Sequence, residues 1–127
     1  MTTGPETAVG FIMDSWTHHL FRVVLSQHIL DELEHALAQP YFRDRTSPDL
    51  ITQYMARMTL DAILVPITAE VHGVAPSPAD DLVLATAVSA HVPYVVTGDH
   101  RFQEVGSYQG VTIEDPGTFA GILHSLL

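Results

Sequence analysis

Hydrophobic positions along the chain switch repeatedly between helical spacing and short continuous runs. Val9, Ile12, Met13, Trp16 and Leu20 recur every three or four residues, which predicts an amphipathic core helix over about 6–19. Phe21-Arg22-Val23-Val24-Leu25-Ser26 is short and rich in β-formers and predicts a strand. Ser26 then stands where a helix cap belongs, and Ile29, Leu30, Leu33 and Leu37 face inward along the helix that Pro40 ends. Residues 41–46 form a turn carrying Arg43 and Arg45. Ser47-Pro48-Asp49 has a capping serine, a proline at the first position and an acid at the positive helix end. The helix it opens runs to about Leu60, with Leu50, Ile51, Tyr54, Met55 and Met58 on its apolar side.

The second half repeats the alternation. Residues 62–68 read as a strand, and Pro66 inside it points to a sheet edge. A proline-rich link over 73–79 leads to a helix opened by Asp80 or Asp81 and continuing to about His91. Pro93 precedes a strand over 94–97, a continuous apolar run of the kind covered on both faces. Residues 98–110 read as a polar loop, Val111-Thr112-Ile113 as a last short strand, and Pro116 as the start of a helix ending near Leu126. This order predicts one α/β domain over 1–127, with helices on both sides of a mostly parallel sheet and right-handed crossovers.

Composition narrows the setting. The length of 127 residues and a hydrophobic content of 46% suit one domain with a real core. No run of 18 apolar residues occurs, so no membrane helix is expected. No basic stretch precedes an apolar one at the start, so no export signal is expected. Cysteine is absent, which excludes disulfides and thiolate metal sites and suits the cytoplasm. Fifteen acids stand against five arginines and no lysine, a formal charge of −10. That balance argues against tight, nonspecific nucleic-acid binding and suits divalent cations or a basic partner protein.

Asp80, Asp81 and Asp99 are the candidate chemistry. Acids at a helix start and at the C-terminal end of a strand can meet in one crevice of an open α/β sheet. Carboxylates brought together repel unless a cation lies between them, and magnesium or manganese takes oxygen ligands, often one or two carboxylates with water. The plainer reading is local: Asp-Asp caps a helix, and Thr97-Gly98-Asp99 makes a turn. Glu32 on its own reads as a solvated helix residue. His28, Glu32 and His35 share roughly one side of a helix, but no His-Glu-x-x-His pattern exists, so scattered surface histidines are expected rather than a zinc centre. No glycine-rich phosphate loop and no nucleophile elbow is present.

The order of parts resembles the PIN-domain family, in particular toxin components of bacterial toxin–antitoxin systems. The resemblance covers nearly the whole chain and is carried best by Leu84-Ala85-Thr86-Ala87, Val96-Thr97-Gly98-Asp99 and Pro116-Gly117-Thr118-Phe119. It implies a three-layer α/β/α fold and a ribonuclease that holds Mg2+ or Mn2+ with three or four acids. Glu32 matches the family's helix acid, Asp80 the acid seven residues before the second alanine of Leu-Ala-x-Ala, Asp81 a frequent acidic neighbour, and Asp99 the acid after Thr-Gly. The expected metal set is therefore Glu32, Asp80, Asp81 and Asp99, with Asp80, Glu32 and Asp99 catalytic and Thr97 and Ser77 orienting ligands or water.

The chain also departs from the pattern. Family members begin with a central strand ending in a metal-binding aspartate, whereas Met1-Thr2-Thr3-Gly4-Pro5 corresponds to the loop after that strand. Asp14 is the nearest upstream acid and matches no motif. Arg101 stands where relatives often carry a further acid. Three expectations follow: a longer natural protein, a shortened relative that dimerises to fill the gap, or a noncatalytic member that binds a basic partner such as an antitoxin. An unpaired central gap favours self-association, at least to a homodimer.

Overall fold

The fold, seen in a computed structural model that describes residues 8–40, 44 and 47–127, is built around one buried helix. In chain order the elements are α1 (Ala8–Thr17), β1 (Val24–Leu25), α2 (Gln27–Leu37), α3 (Pro48–Asp61), β2 (Ile63–Leu64), α4 (Pro78–Ala90), β3 (Tyr94–Val96), α5 (His100–Gln103), β4 (Ser107–Tyr108), β5 (Val111–Glu114) and α6 (Pro116–Ser125). Strands and helices alternate, so the α/β class expected from the sequence stands. No described helix is long and apolar enough to cross a membrane.

The strands form two small sheets. β1 pairs in parallel with β2, Val24 opposite Ile63 and Leu25 opposite Leu64. β5 lies between β3, which is parallel to it, and β4, which is antiparallel. Among the described residues no strand pairing joins the two sheets, so the single sheet expected from the sequence is replaced by two. Helix α4 holds them in one molecule: it packs against β1, β3, β5 and α2. Its Leu84, Ala85 and Ala87 are buried with Val71, Val95, Phe102, Val111 and Ile113. Removing a leucine side chain such as Leu84 from water is worth about 1.5–3 kcal/mol.

Aromatic contacts gather other elements. Phe119 of α6 meets Phe21 at 5.5 Å and Tyr94 at 5.7 Å between ring centroids. Edge-on packing of this kind suits the charge distribution of the rings. α1 lies along α6, with Phe11 5.0 Å from the His124 ring.

Several elements differ from the sequence expectation. Of the expected stripe on α1, Trp16 is buried and Ile12 half-buried, while Val9 and Met13 are exposed, and so is Leu20 beyond its end; the stripe faces inward only in part. The expected start near Glu6 lies outside the described residues. The strands over 21–26 and 62–68 shrink to two residues each because β1 and β2 pair only with each other. β2 is an edge, in keeping with Pro66. β3 was expected to be covered on both faces; only Val95 is buried, and Tyr94 and Val96 are exposed. The region 98–110 is no simple loop, since it holds α5 and β4. The arginine-bearing turn, apart from Asp44, and the side chains of Leu50, Ile51 and Tyr54 lie outside the described residues.

Candidate functional site

The start of α4 is capped by Ser77, whose Oγ accepts from the Asp80 N–H at 3.1 Å, with Pro78 at the first helical position. The helix thus begins before the aspartate pair, and Ser77 serves as its cap. Asp80 and Asp81 both fall in the first turn, where negative charge is favoured by the helix dipole. They do different things. The Asp81 carboxylate turns back onto the link and accepts from the backbone N–H groups of Gly73 at 3.0 Å, Val74 at 3.1 Å and Ala75 at 2.8 Å. Only 7% of Asp81 is exposed. The Ala75 N–H beside it, opposed by burial and helped by Gly73, Val74 and His72, holds its carboxyl below the usual range. Asp80 is half-buried, and its carboxylate has no hydrogen-bond or ion-pair partner among the described residues.

Glu32 reaches this helix start through His28. Both sit on α2, which Ser26 caps. His28 Nε2 lies 3.1 Å from Glu32 Oε1 and 3.1 Å from the Ala79 carbonyl, so one imidazole nitrogen connects Glu32 to the residue before Asp80. A carbonyl only accepts, which requires a proton on Nε2. Nothing in the spacing of His28 and Ala79, 51 positions apart, announces that contact. His35 instead shares a hydrogen bond with Gln39, so the two histidines of α2 serve different partners.

Asp99 closes the turn after β3. Its Oδ1 accepts from the Arg101 N–H at 2.9 Å and caps α5, and the Arg101 guanidinium stands 3.7 Å away. The Thr97 hydroxyl accepts from the Asp99 N–H at 3.1 Å, and the Thr97 carbonyl accepts from Gln103 Nε2 at 2.7 Å. Thr97 therefore shapes the turn that presents Asp99. Beside it a shallow cleft of about 400 Å3 is lined by Val74, Ala75, Pro76, Arg101, Glu104 and Val105. The loop that Asp81 anchors and the helix that Asp99 caps are its two walls.

The structure thus links Glu32, through His28, to the Ala79 carbonyl at the start of α4 and gives Asp81 and Asp99 backbone partners. Among the described residues no three His, Asp or Glu side chains stand close enough together to hold a metal ion. Glu32 and Asp80 carry oxygen donors of the type magnesium and manganese take, but among the described residues they belong to no cluster of ligands around a common point.

A family model described as a PIN domain matches residues 1–101. No curated protein and no solved structure matches the chain.

Proposed function

This chain belongs to the PIN-domain family, and from that premise we propose that it is a metal-dependent ribonuclease of the toxin type, hydrolysing RNA phosphodiesters. PIN domains are generally nucleases that use divalent metals, which supports a nuclease-type function at the coarse level. The observation that supports the finer reading is the His28 bridge, which ties Glu32 to the carbonyl of Ala79, the residue before Asp80.

Glu32, Asp80 and Asp99 are the residues we assign to the ion, Mg2+ or Mn2+. When bound, such an ion supplies an activated water and neutralises charge developing on phosphate. The chain's own residues do the positioning. Ser77 fixes the first turn of α4 so that Asp80 stands at its start. Asp81 supports that turn by holding the 73–75 backbone, and Thr97 holds the turn that presents Asp99. Cleavage of RNA at low salt with Mn2+, wild type against Asp80→Asn, tests the assignment. Activity lost in the variant supports it; equal activity in both removes Asp80 from the reaction.

A second reading is a noncatalytic PIN-domain protein that binds a basic partner, such as an antitoxin. Two observations favour it. Asp81 and Asp99 are already engaged by backbone N–H groups. An apolar groove of about 630 Å3 also opens along α3, lined by Glu34, Thr52, Met55, Ala56, Thr59 and Leu60, with Leu60 82% exposed. Absence of cleavage together with capture of a basic partner supports this reading over the first.

The other assignments are RNA as substrate, the cytoplasm as compartment and a homodimer as the assembly. Edges of β1 and β3 that are unpaired among the described residues suit pairing with another chain. Light scattering that finds a clean monomer at high concentration counts against the dimer.

A further inference from the structure

We propose that Arg101 takes a phosphate of the RNA, in the cleft between the 74–76 loop and α5; this rests on the nuclease reading above. Every other donor in that cleft is spent. Its lining is Val74, Ala75, Pro76, Arg101, Glu104 and Val105. The N–H groups of Val74 and Ala75 go to the Asp81 carboxylate, and proline has none. The Arg101 N–H goes to Asp99, and those of Glu104 and Val105 go to the His100 and Phe102 carbonyls. What is left to hold an anion is the Arg101 guanidinium.

That side chain is 76% exposed and makes no hydrogen bond among the described residues; Asp99 Oδ1, 3.7 Å from its Nε, is at ion-pair distance only. A guanidinium offers five donors in a fork that matches two phosphate oxygens. The other described arginines do not compete for the role. Arg57 is committed, with its Nε 3.3 Å from Asp61 Oδ2 and its guanidinium over the Trp16 ring. Arg22 is exposed before β1 and does not line the cleft. The place also suits a ligand. The turn after β3 leads into α5, so the cleft lies past the C-terminal end of a parallel strand, where open α/β sheets bind their ligands. A phosphate on Arg101 lies beside Asp99, one of the acids assigned above to the ion. Glu104 lines the same cleft and opposes an anion. With both acids near it, on a chain of formal charge −10, one arginine gives weak binding that salt removes.

The test is fluorescence anisotropy of a labelled single-stranded RNA at low salt in EDTA, with wild type, Arg101→Ala, Arg101→Lys, Glu104→Gln and Arg22→Ala. EDTA separates the phosphate contact from any ion. Arg101→Ala is expected to weaken binding about 10-fold or more and to reduce the salt slope by about 1. Arg101→Lys keeps the charge but not the fork and should fall between. Glu104→Gln should tighten binding. Arg22→Ala removes the same charge away from the cleft and should stay within a factor of about two of wild type. Equal loss in Arg101→Ala and Arg22→Ala assigns the effect to net charge and overturns the proposal. Wild-type affinity in Arg101→Ala overturns it as well. RNA that is bound through Arg101 but left uncleaved with Mn2+ upholds the contact and overturns the nuclease reading alone. A wild type that binds no RNA overturns both.

Discussion

Ser26 and Thr86, sixty positions apart, share a buried hydrogen bond of 2.8 Å between their hydroxyl oxygens. Proton counting fixes its direction. The Thr86 hydroxyl also lies 2.8 Å from the Leu82 carbonyl, which can only accept, so its single proton goes there. Ser26 therefore donates to Thr86 while its oxygen accepts from the Ile29 N–H. The result is a continuous chain from the first turn of α2 into the middle of α4. Replacing Ser26 by alanine removes a cap and leaves the chain incomplete. The expected loss is about 1–2 kcal/mol in urea unfolding. With Thr86→Val the double variant is expected to be non-additive by about 0.5 kcal/mol or more. Simple additivity would show that the two hydroxyls act independently.

Asp81 is predicted to hold the 73–75 backbone. Asp81→Asn is expected to lower the melting temperature and to speed amide exchange at Gly73, Val74 and Ala75, since an amide nitrogen cannot accept from those N–H groups. The sign with pH follows from the lowered carboxyl. Its folded value lies below the ordinary 3.8, so its stabilisation is full above that value and is lost as pH falls through the folded one. Asp115, held down chiefly by the Thr118 N–H, acts in the same sense at the start of α6. The acid arm of the stability profile should flatten in Asp81→Asn. An unchanged arm would remove Asp81 from the list of stabilising groups.

The turn between β4 and β5 has positive φ at both Gln109 (48°) and Gly110 (84°). A side chain other than glycine or asparagine is disfavoured there. Gln109→Asn is predicted to raise stability by about 0.5–1 kcal/mol. The gain is measurable as a shift in urea midpoint with unchanged slope.

Cation binding should appear without any substrate. Mn2+ at a hundredfold excess over its Kd adds about 2.7 kcal/mol to a protein that binds it only when folded. The wild type should therefore melt several degrees higher with Mn2+, the shift should vanish on chelation, and Asp80→Asn should show none. An identical shift in wild type and variant would place the ion elsewhere.

Local signals in the sequence were legible and long-range ones were not. Ser26 marks its helix start, and Pro48 and Pro116 mark theirs, because caps and prolines act on their own backbone. The same logic applied to Asp80-Asp81 sets the helix start a little late, since Ser77-Pro78 already opens it. Thr97-Gly98-Asp99 is a turn with a capping aspartate, as its composition implies. The His28–Ala79 contact leaves no trace in local spacing. Nor does the engagement of Asp81 by three N–H groups, which depends on how the link folds back. β4 escaped notice because its hairpin turn carries glutamine where asparagine or glycine would have announced it. The division of the strands into two sheets is a matter of pairing partners, which apolar runs alone do not specify.

The place of α4 between those two sheets has a consequence for how the molecule comes apart. No ladder of backbone bonds among the described residues ties β1–β2 to β3–β5–β4, so their coupling passes through side chains, on α4 and in the Phe21–Phe119–Tyr94 contact. Such a molecule behaves as two foldons with a shared hinge pin. Loosening α4, by shrinking Leu84 for instance, would do more than lower stability. It would let one half open while the other stays folded, and amide exchange in the two sheets would lose its common rate.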